Sequence, residues 1–156
     1  MAIKIFNSTE TSYTGSSAND LVLGNDLGNT IDGGNGNNII HGGAGDDIIF
    51  TGTGNDIIAG GDGDDLIYSE GGDNIISGGK GIDNIITGSG NDIISGGEGD
   101  DVIFSGDGDD ILSGGAGSDY IDGQGSSAGD ETVTGNLFHV TSQDVLIGGK
   151  GNRSEE

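Results

Sequence analysis

The sequence predicts an all-β chain wound as a coil of short strands and tight turns. Three observations support that reading. From Gly15 to Asp122 the chain repeats every nine residues, without one insertion or deletion. The large aliphatic residues fall in a fixed column of that repeat. Glycine and aspartate fall in others. An internal repeat constrains architecture before any local propensity does. Nine residues are too few for a helical pair. They suit a six-residue glycine-rich turn followed by a three-residue apolar strand.

The best-formed units are GGAGDDIIF (Gly42–Phe50), GGDGDDLIY (Gly60–Tyr68) and GGEGDDVIF (Gly96–Phe104). Position eight is Val22, Ile31, Ile40, Ile49, Ile58, Ile67, Ile76, Ile85, Ile94, Ile103, Leu112 and Ile121, all branched aliphatics. Position six is Asp20, Asn29, Asn38, Asp47, Asp56, Asp65, Asn74, Asp83, Asp92, Asp101, Asp110 and Asp119. Position four is glycine from Gly36 through Gly117 and departs only at Ala18 and Leu27.

These columns follow GGxGxDxUx, with U a large aliphatic. The pattern resembles the calcium-binding nonapeptide of the repeats-in-toxin (RTX) family, the haemolysin-type calcium-binding repeat. The resemblance covers about two thirds of the chain. It implies a parallel β-roll of about twelve nonapeptides with two short strands per coil. It also implies several calcium ions in two rows between the turns of successive coils. The implied ligands are the twelve position-six side chains and the carbonyls of the glycine turns. On the better-formed edge those turns hold Gly43, Gly45, Gly61, Gly63, Gly79, Gly81, Gly97, Gly99, Gly115 and Gly117. At Asn29, Asn38 and Asn74 a neutral amide oxygen replaces a carboxylate.

The residue types suit that chemistry. Calcium takes about six to eight oxygen ligands and tolerates irregular geometry. Glycine reaches backbone angles closed to other residues, so a turn such as Gly60–Asp65 can aim several carbonyls inward. The turn one coil up completes the shell, because parallel strands stack about 4.8 Å apart. Asp62, Asp64, Glu98, Asp100, Asp107 and Asp109, at positions three and five, are expected to be exposed and to add negative field. Alternate units fall on opposite edges. The edge with turns at Gly24, Gly42, Gly60, Gly78, Gly96 and Gly114 carries Asp at position six in all but the first, and is expected to be the stronger row. The other edge includes Asn38 and Asn74, and its SEGGDN turn places Glu70 where the second glycine belongs.

Composition agrees. The 156 residues are 30% apolar and 4% aromatic, too little for an ordinary globular core. With 36 glycines and a net charge of −23, a chain without a repeat would be disordered. Bound cations would supply stability and neutralise self-repulsion, so the chain is expected to be largely unfolded without metal. There is no cysteine, hence no disulfide. There is no proline, as suits a continuous parallel ladder. Four Lys and Arg residues leave no basic patch for nucleic acid. No stretch approaches the about 18 apolar residues of a membrane span. The start, MAIKIFNSTE, lacks the apolar run of a secretory signal. The resemblance implies a secreted or cell-surface bacterial protein. Relatives of this kind commonly leave through a type I exporter that reads an uncleaved C-terminal signal. The ending here, GKGNRSEE, is generic.

The outward strand positions are unusually apolar. One sheet presents Leu21, Ile39, Ile57, Ile75, Ile93 and Ile111. The other presents Phe50, Tyr68, Ile86 and Phe104, flanked by Asp32 and Asp122, with Ile48, Leu66 and Val102 alongside. Two readings stand. Like residues stack along a ladder and support neighbouring strands. Alternatively, Phe50, Tyr68, Ile86 and Phe104 contact a second copy or a protein partner, as continuous apolar patches usually do.

Three segments result. Residues 1–14 hold Ile3, Ile5 and Phe6 in partial alternation and are expected to cap one open end of the roll. Residues 15–122 form the roll. Residues 123–156 are expected to form a loop and a second cap with a partial repeat, Asp144–Gly151, out of phase with the array. No enzyme is expected. His41 and His139 are the only histidines, HExxH is absent, and no nucleophile–base constellation can be argued. The expected function is a secreted calcium-binding module that folds on extracellular calcium. The alternative is a structural or adhesive protein self-associating through its apolar faces. Thr51–Asp56 and Thr87–Asp92 also resemble a calcium-dependent bacterial ice-binding adhesin, but only those two units match.

Overall fold

The computed structural model describes residues 1–123, 132–133 and 145–147. Among them lie sixteen strands and no helix. In chain order they are β1 (Ile3–Ile5), β2 (Ser12–Thr14), β3 (Leu21–Leu23), β4 (Thr30–Asp32), β5 (Ile39–Ala44), β6 (Ile48–Thr53), β7 (Ile57–Asp62) and β8 (Leu66–Gly71). There follow β9 (Ile75–Lys80), β10 (Asn84–Ser89), β11 (Ile93–Glu98), β12 (Val102–Phe104), β13 (Ile111–Ala116), β14 (Tyr120–Asp122), β15 (Thr132–Val133) and β16 (Val145–Ile147). Odd-numbered strands form one eight-stranded sheet and even-numbered strands the other, each strand pairing with the next but one. All pairings are parallel, and in the array the register is one coil of eighteen residues: Ile57↔Ile75, Ile67↔Ile85. The chain is a parallel β-solenoid of about seven turns, two strands to a turn.

The core is a double file of position-eight side chains. From Val22 to Ile121 all twelve are buried. Phe6 and the partly buried Tyr13 extend the file at the N-terminal end. Burying one such side chain is worth roughly 1.5–3 kcal/mol. Ordering the backbone of one residue costs roughly 1–2 kcal/mol. One aliphatic per nine residues therefore cannot hold the coil alone, and the turns must contribute.

Two expectations need correction. From β5 to β13 every strand but β12 is six residues long, not three, and runs through the first three turn positions, so that Gly43 pairs with Gly61 and Gly61 with Gly79. The ladder continues through position one whether it is glycine, as at Gly42 and Gly60, or Thr51, Ser69 and Thr87 on the other edge. The count of about twelve nonapeptides is also too high for the fully wound part. The first two units carry Ala18 and Leu27 at position four, the positive-φ glycines begin only at Gly34, and β3 and β4 stop at three residues.

The first fourteen residues supply the first turn. Ile3–Ile5 pairs with Leu21–Leu23, and Ser12–Thr14 with Thr30–Asp32. At the other end β15 pairs with β13, and β16 with β14. The rest of the expected C-terminal loop and cap, including most of Asp144–Gly151, lies outside the described residues.

Candidate metal centres along the turns

Position six leaves the turn and enters the strand, so its side chain points into the coil beside the aliphatic file. All twelve of these side chains are buried, with 0 to 5% of their surface exposed. From Asn38 to Asp119, one side-chain oxygen does the same work in every unit. It accepts the backbone N–H of the position-six residue one coil below. Asp65 Oδ1 accepts from Asp47 at 2.8 Å, Asp83 Oδ1 from Asp65 at 2.9 Å, and Asp101 Oδ1 from Asp83 at 2.9 Å. On the second edge Asp56 Oδ1 accepts from Asn38 at 2.7 Å, and Asp110 Oδ1 from Asp92 at 2.8 Å.

The other oxygen is the anomaly. Oδ2 of Asp47, Asp65, Asp83 and Asp101 on one edge, and of Asp56, Asp92 and Asp110 on the other, is buried with no hydrogen-bond donor. The Asn38 turn shows what surrounds that atom. There Oδ1 serves the ladder, and Nδ2, in the place of Oδ2, lies 3.2 Å from Gly34 O and 2.9 Å from Gly36 O. In an Asp turn the same place holds a carboxylate oxygen, set against the position-one glycine on the first edge. On the second, the hydroxyls of Thr51, Thr87 and Ser105 lie close enough to hold the Asp56, Asp92 and Asp110 carboxyls partly down without completing a hydrogen bond to Oδ2. A buried charge without a partner costs several kcal/mol. A cluster of oxygens with no donor fits a hard cation that takes carboxylate and carbonyl ligands. Among the described residues no three His, Cys, Asp or Glu side chains converge. A cation here depends on turn carbonyls as much as on carboxylates.

The electrostatics agree. Burial pushes the Asp65 and Asp101 carboxyls up to about 7 and that of Asp47 to about 6, against partial relief from the ladder N–H groups. Carboxylates of neighbouring coils raise Asp65 and Asp101 further. Burial likewise raises Asp56, Asp83, Asp92 and Asp110. Asp20 is the exception. Its Oδ1 accepts from Ala2 N–H at 2.7 Å, and its Oδ2 from Ser16 N–H at 3.1 Å and the Tyr13 hydroxyl at 3.3 Å. The Ala2 N–H leads in holding this carboxyl below its ordinary value.

On the first edge, from Gly43 on, glycine is required at positions two and four for two reasons. Gly61 and Gly63 sit at φ 131° and 142°, where other residues are strained. A Cβ on either would collide with the carbonyl of Gly43 or Gly45, one coil below. The carbonyls of one turn therefore face the backbone of the next across a gap no side chain can enter.

The RTX calcium-binding nonapeptide repeat matches the chain in four copies, over residues 23–58, 50–85, 77–112 and 86–121. The chain belongs to that family. No curated protein and no solved structure matches it. The RTX match leaves out most of the first unit, whose position four is Ala18. The array is thus a calcium-binding parallel β-roll, as its repeat pattern leads one to expect.

The RTX turns bring the expected position-six residues into two rows, one along each edge. Gly43, Gly45, Gly61, Gly63, Gly79, Gly81, Gly97, Gly99, Gly115 and Gly117 all have positive φ. The two edges differ at position one, which is glycine throughout the first but Thr51, Ser69, Thr87 and Ser105 on much of the second. Those four are buried, and Thr51 Oγ1 donates to Ser69 Oγ at 2.9 Å.

Position five was underread in the sequence. Its side chains are exposed as expected, but they form a second ladder of opposite sense. Each accepts the position-five N–H of the coil above: Asn37 from Asn55 at 3.1 Å, Asn55 from Asp73 at 3.0 Å, Asp73 from Asn91 at 2.8 Å, Asn91 from Asp109 at 2.9 Å. The unbroken Asn/Asp column Asn19, Asn37, Asn55, Asp73, Asn91 and Asp109 was the signal for it. On the other edge Asp46 and Asp64 serve Asp64 and Ile82, and Ile82 has no acceptor to offer Asp100.

Proposed function

We propose that this chain is a secreted module whose RTX roll folds as it meets extracellular calcium. The observation that supports it most is the set of seven buried aspartate oxygens without donors. Several kcal/mol for each unpaired buried carboxylate together exceed the about 5–15 kcal/mol by which a domain is normally stable. The aliphatic file is too thin to offset that. Calcium, when bound, supplies the missing positive charge. Asp47, Asp65, Asp83 and Asp101 line one edge, Asp56, Asp92 and Asp110 the other, with the carbonyls of turns such as Gly61–Gly63 beside them. Oδ1 of each holds the neighbouring coil in register while Oδ2 faces the ion, so metal uptake and coil stacking are one event. RTX repeats occur in secreted bacterial proteins, where extracellular calcium is met on arrival. Far-UV circular dichroism of the chain in chelator, then in rising calcium, tests the proposal. The β signal should be largely absent at first and rise cooperatively.

A second reading concerns the roll's outer faces. Phe50, Tyr68 and Phe104 remain 37 to 41% exposed along one sheet, and Ile39, Ile57, Ile75, Ile93 and Ile111 are about half exposed along the other. Ile86 is half-buried. This exposure favours association of the loaded roll with a second copy or a protein partner. The tilted ring contacts of Phe50 with Tyr68, at 6.3 Å, and of Phe104 with Tyr120, at 5.6 Å, favour a ladder role instead. The mass of the loaded protein in solution separates the two.

A further inference from the structure

Five of the twelve position-six side chains lack the feature that points to calcium in the others: Asp119, at the last turn of the array, and the four Asp20, Asn29, Asn38 and Asn74. Asn38 is the clearest. Its Oδ1 must face the Asp20 N–H, 2.9 Å away, because only the oxygen of an amide accepts. Nδ2 therefore faces the turn and donates to Gly34 O and Gly36 O. Asn74 repeats the arrangement: Oδ1 accepts from Asp56 N–H at 2.9 Å, and Nδ2 donates to Gly72 O at 2.9 Å. Asn29 forms a reciprocal pair with Asn25, accepting its N–H at 3.1 Å and donating to its Oδ1 at 3.0 Å. Asp20 is satisfied at both oxygens by Ala2, Ser16 and Tyr13. None of the four has a buried oxygen without a donor. Where an ion would draw the turn carbonyls together, these turns already hold a hydrogen-bond donor.

We infer that the turns of Asp20, Asn29, Asn38 and Asn74 close without calcium, the amide or N-terminal donors standing where an ion sits elsewhere. The calcium rows then begin at Asp47 and Asp56. One edge is continuous from Asp47 to Asp101, and the other is interrupted at Asn74. The inference rests on the calcium-binding reading of the remaining turns. From Asn38 to Asp110 it makes position six a selector: Asp takes an ion, and Asn replaces one while keeping the ladder hydrogen bond to the coil below.

Counting ions on the calcium-saturated full chain by native mass spectrometry tests it. Asn38→Ala and Asn74→Ala should each leave the count of the parent protein unchanged. Asn38→Asp and Asn74→Asp should each raise it by one, because each puts a carboxylate oxygen where the amide donor stood. Asp83→Asn should lower it by one. A loss of one ion in Asn38→Ala or Asn74→Ala would overturn the inference while leaving calcium binding intact. So would an unchanged count in both Asn→Asp variants. No ion on any of the proteins would overturn the calcium reading, and this inference with it.

Discussion

Asp83 Oδ1 accepts the backbone N–H of Asp65, eighteen residues earlier and one coil below, at 2.9 Å, while Asp83 Oδ2 is buried without a donor. One carboxylate thus has two separable duties, coil register and charge. Replacements that remove both differ from those that remove one.

Asp83→Ala removes both. It should leave the Asp65 N–H unsatisfied, a loss of about 1–3 kcal/mol, and remove a charged oxygen. The calcium midpoint of folding should rise clearly, and by more than for Asn74→Ala. Equal midpoints in parallel calcium titrations would contradict this division of labour.

Asp65→Asn should keep the ladder and remove the charge. Without calcium it should be more stable than the parent chain, because a raised carboxyl beside Asp47 and Asp83 is replaced by a neutral donor. With saturating calcium the order should reverse. Urea unfolding in chelator and in calcium reads both, and the same order in both conditions would count against it.

The metal-free chain should also respond to acid. Folding raises the carboxyls of Asp47, Asp65 and Asp101 to about 6 to 7. A group whose pKa rises on folding stabilises the fold fully below its unfolded pKa, near 3.9, and loses that contribution as pH climbs through the folded value. Metal-free protein should therefore gain β signal as pH falls from 8 through about 6. A signal that is flat or falls over that window would argue that burial of these carboxylates does not oppose folding.

Ile82 interrupts the position-five ladder and is half exposed. Ile82→Asn should give the Asp100 N–H an acceptor, as Asn91 gives Asp109, and stabilise the loaded roll by about 0.5–1.5 kcal/mol. Thermal unfolding in calcium checks it, with no change or a loss as the adverse result.

Tyr68→Thr together with Phe104→Thr keeps strand preference and removes most of the exposed aromatic area. If the face binds a second copy, sedimentation in calcium should show an oligomer for the parent chain and a monomer for the variant. A parent monomer at high concentration assigns the face to another partner or to stacking. A variant that no longer folds shows that the ladder matters within the roll.

The repeat made the fold legible. Val22 to Ile121 at position eight told the core, and the RTX resemblance implied two strands per coil. What the sequence hid follows from contacts between coils. Gly42 and Gly43 look like turn residues, yet they lie in β5, because the parallel pairing with the next coil runs on past the apolar strand, as it also does through Thr51 and Ser69. The Asn/Asp column from Asn19 to Asp109 is visible, but its hydrogen bond crosses eighteen residues. Asn38 and Asp56 look like variants of one ligand. Only the direction of the second side-chain atom separates a donor that closes the turn from an oxygen that calls for a cation.

The central claim is that the seven donorless aspartate oxygens are calcium ligands. A crystal structure grown in calcium, with anomalous difference maps to locate the ions, tests it most directly. The account predicts peaks within about 2.3–2.6 Å of Oδ2 of Asp47, Asp65, Asp83 and Asp101 in one row, and of Asp56, Asp92 and Asp110 in the other. Peaks absent there, with those oxygens bonded to water or protein donors, would contradict it.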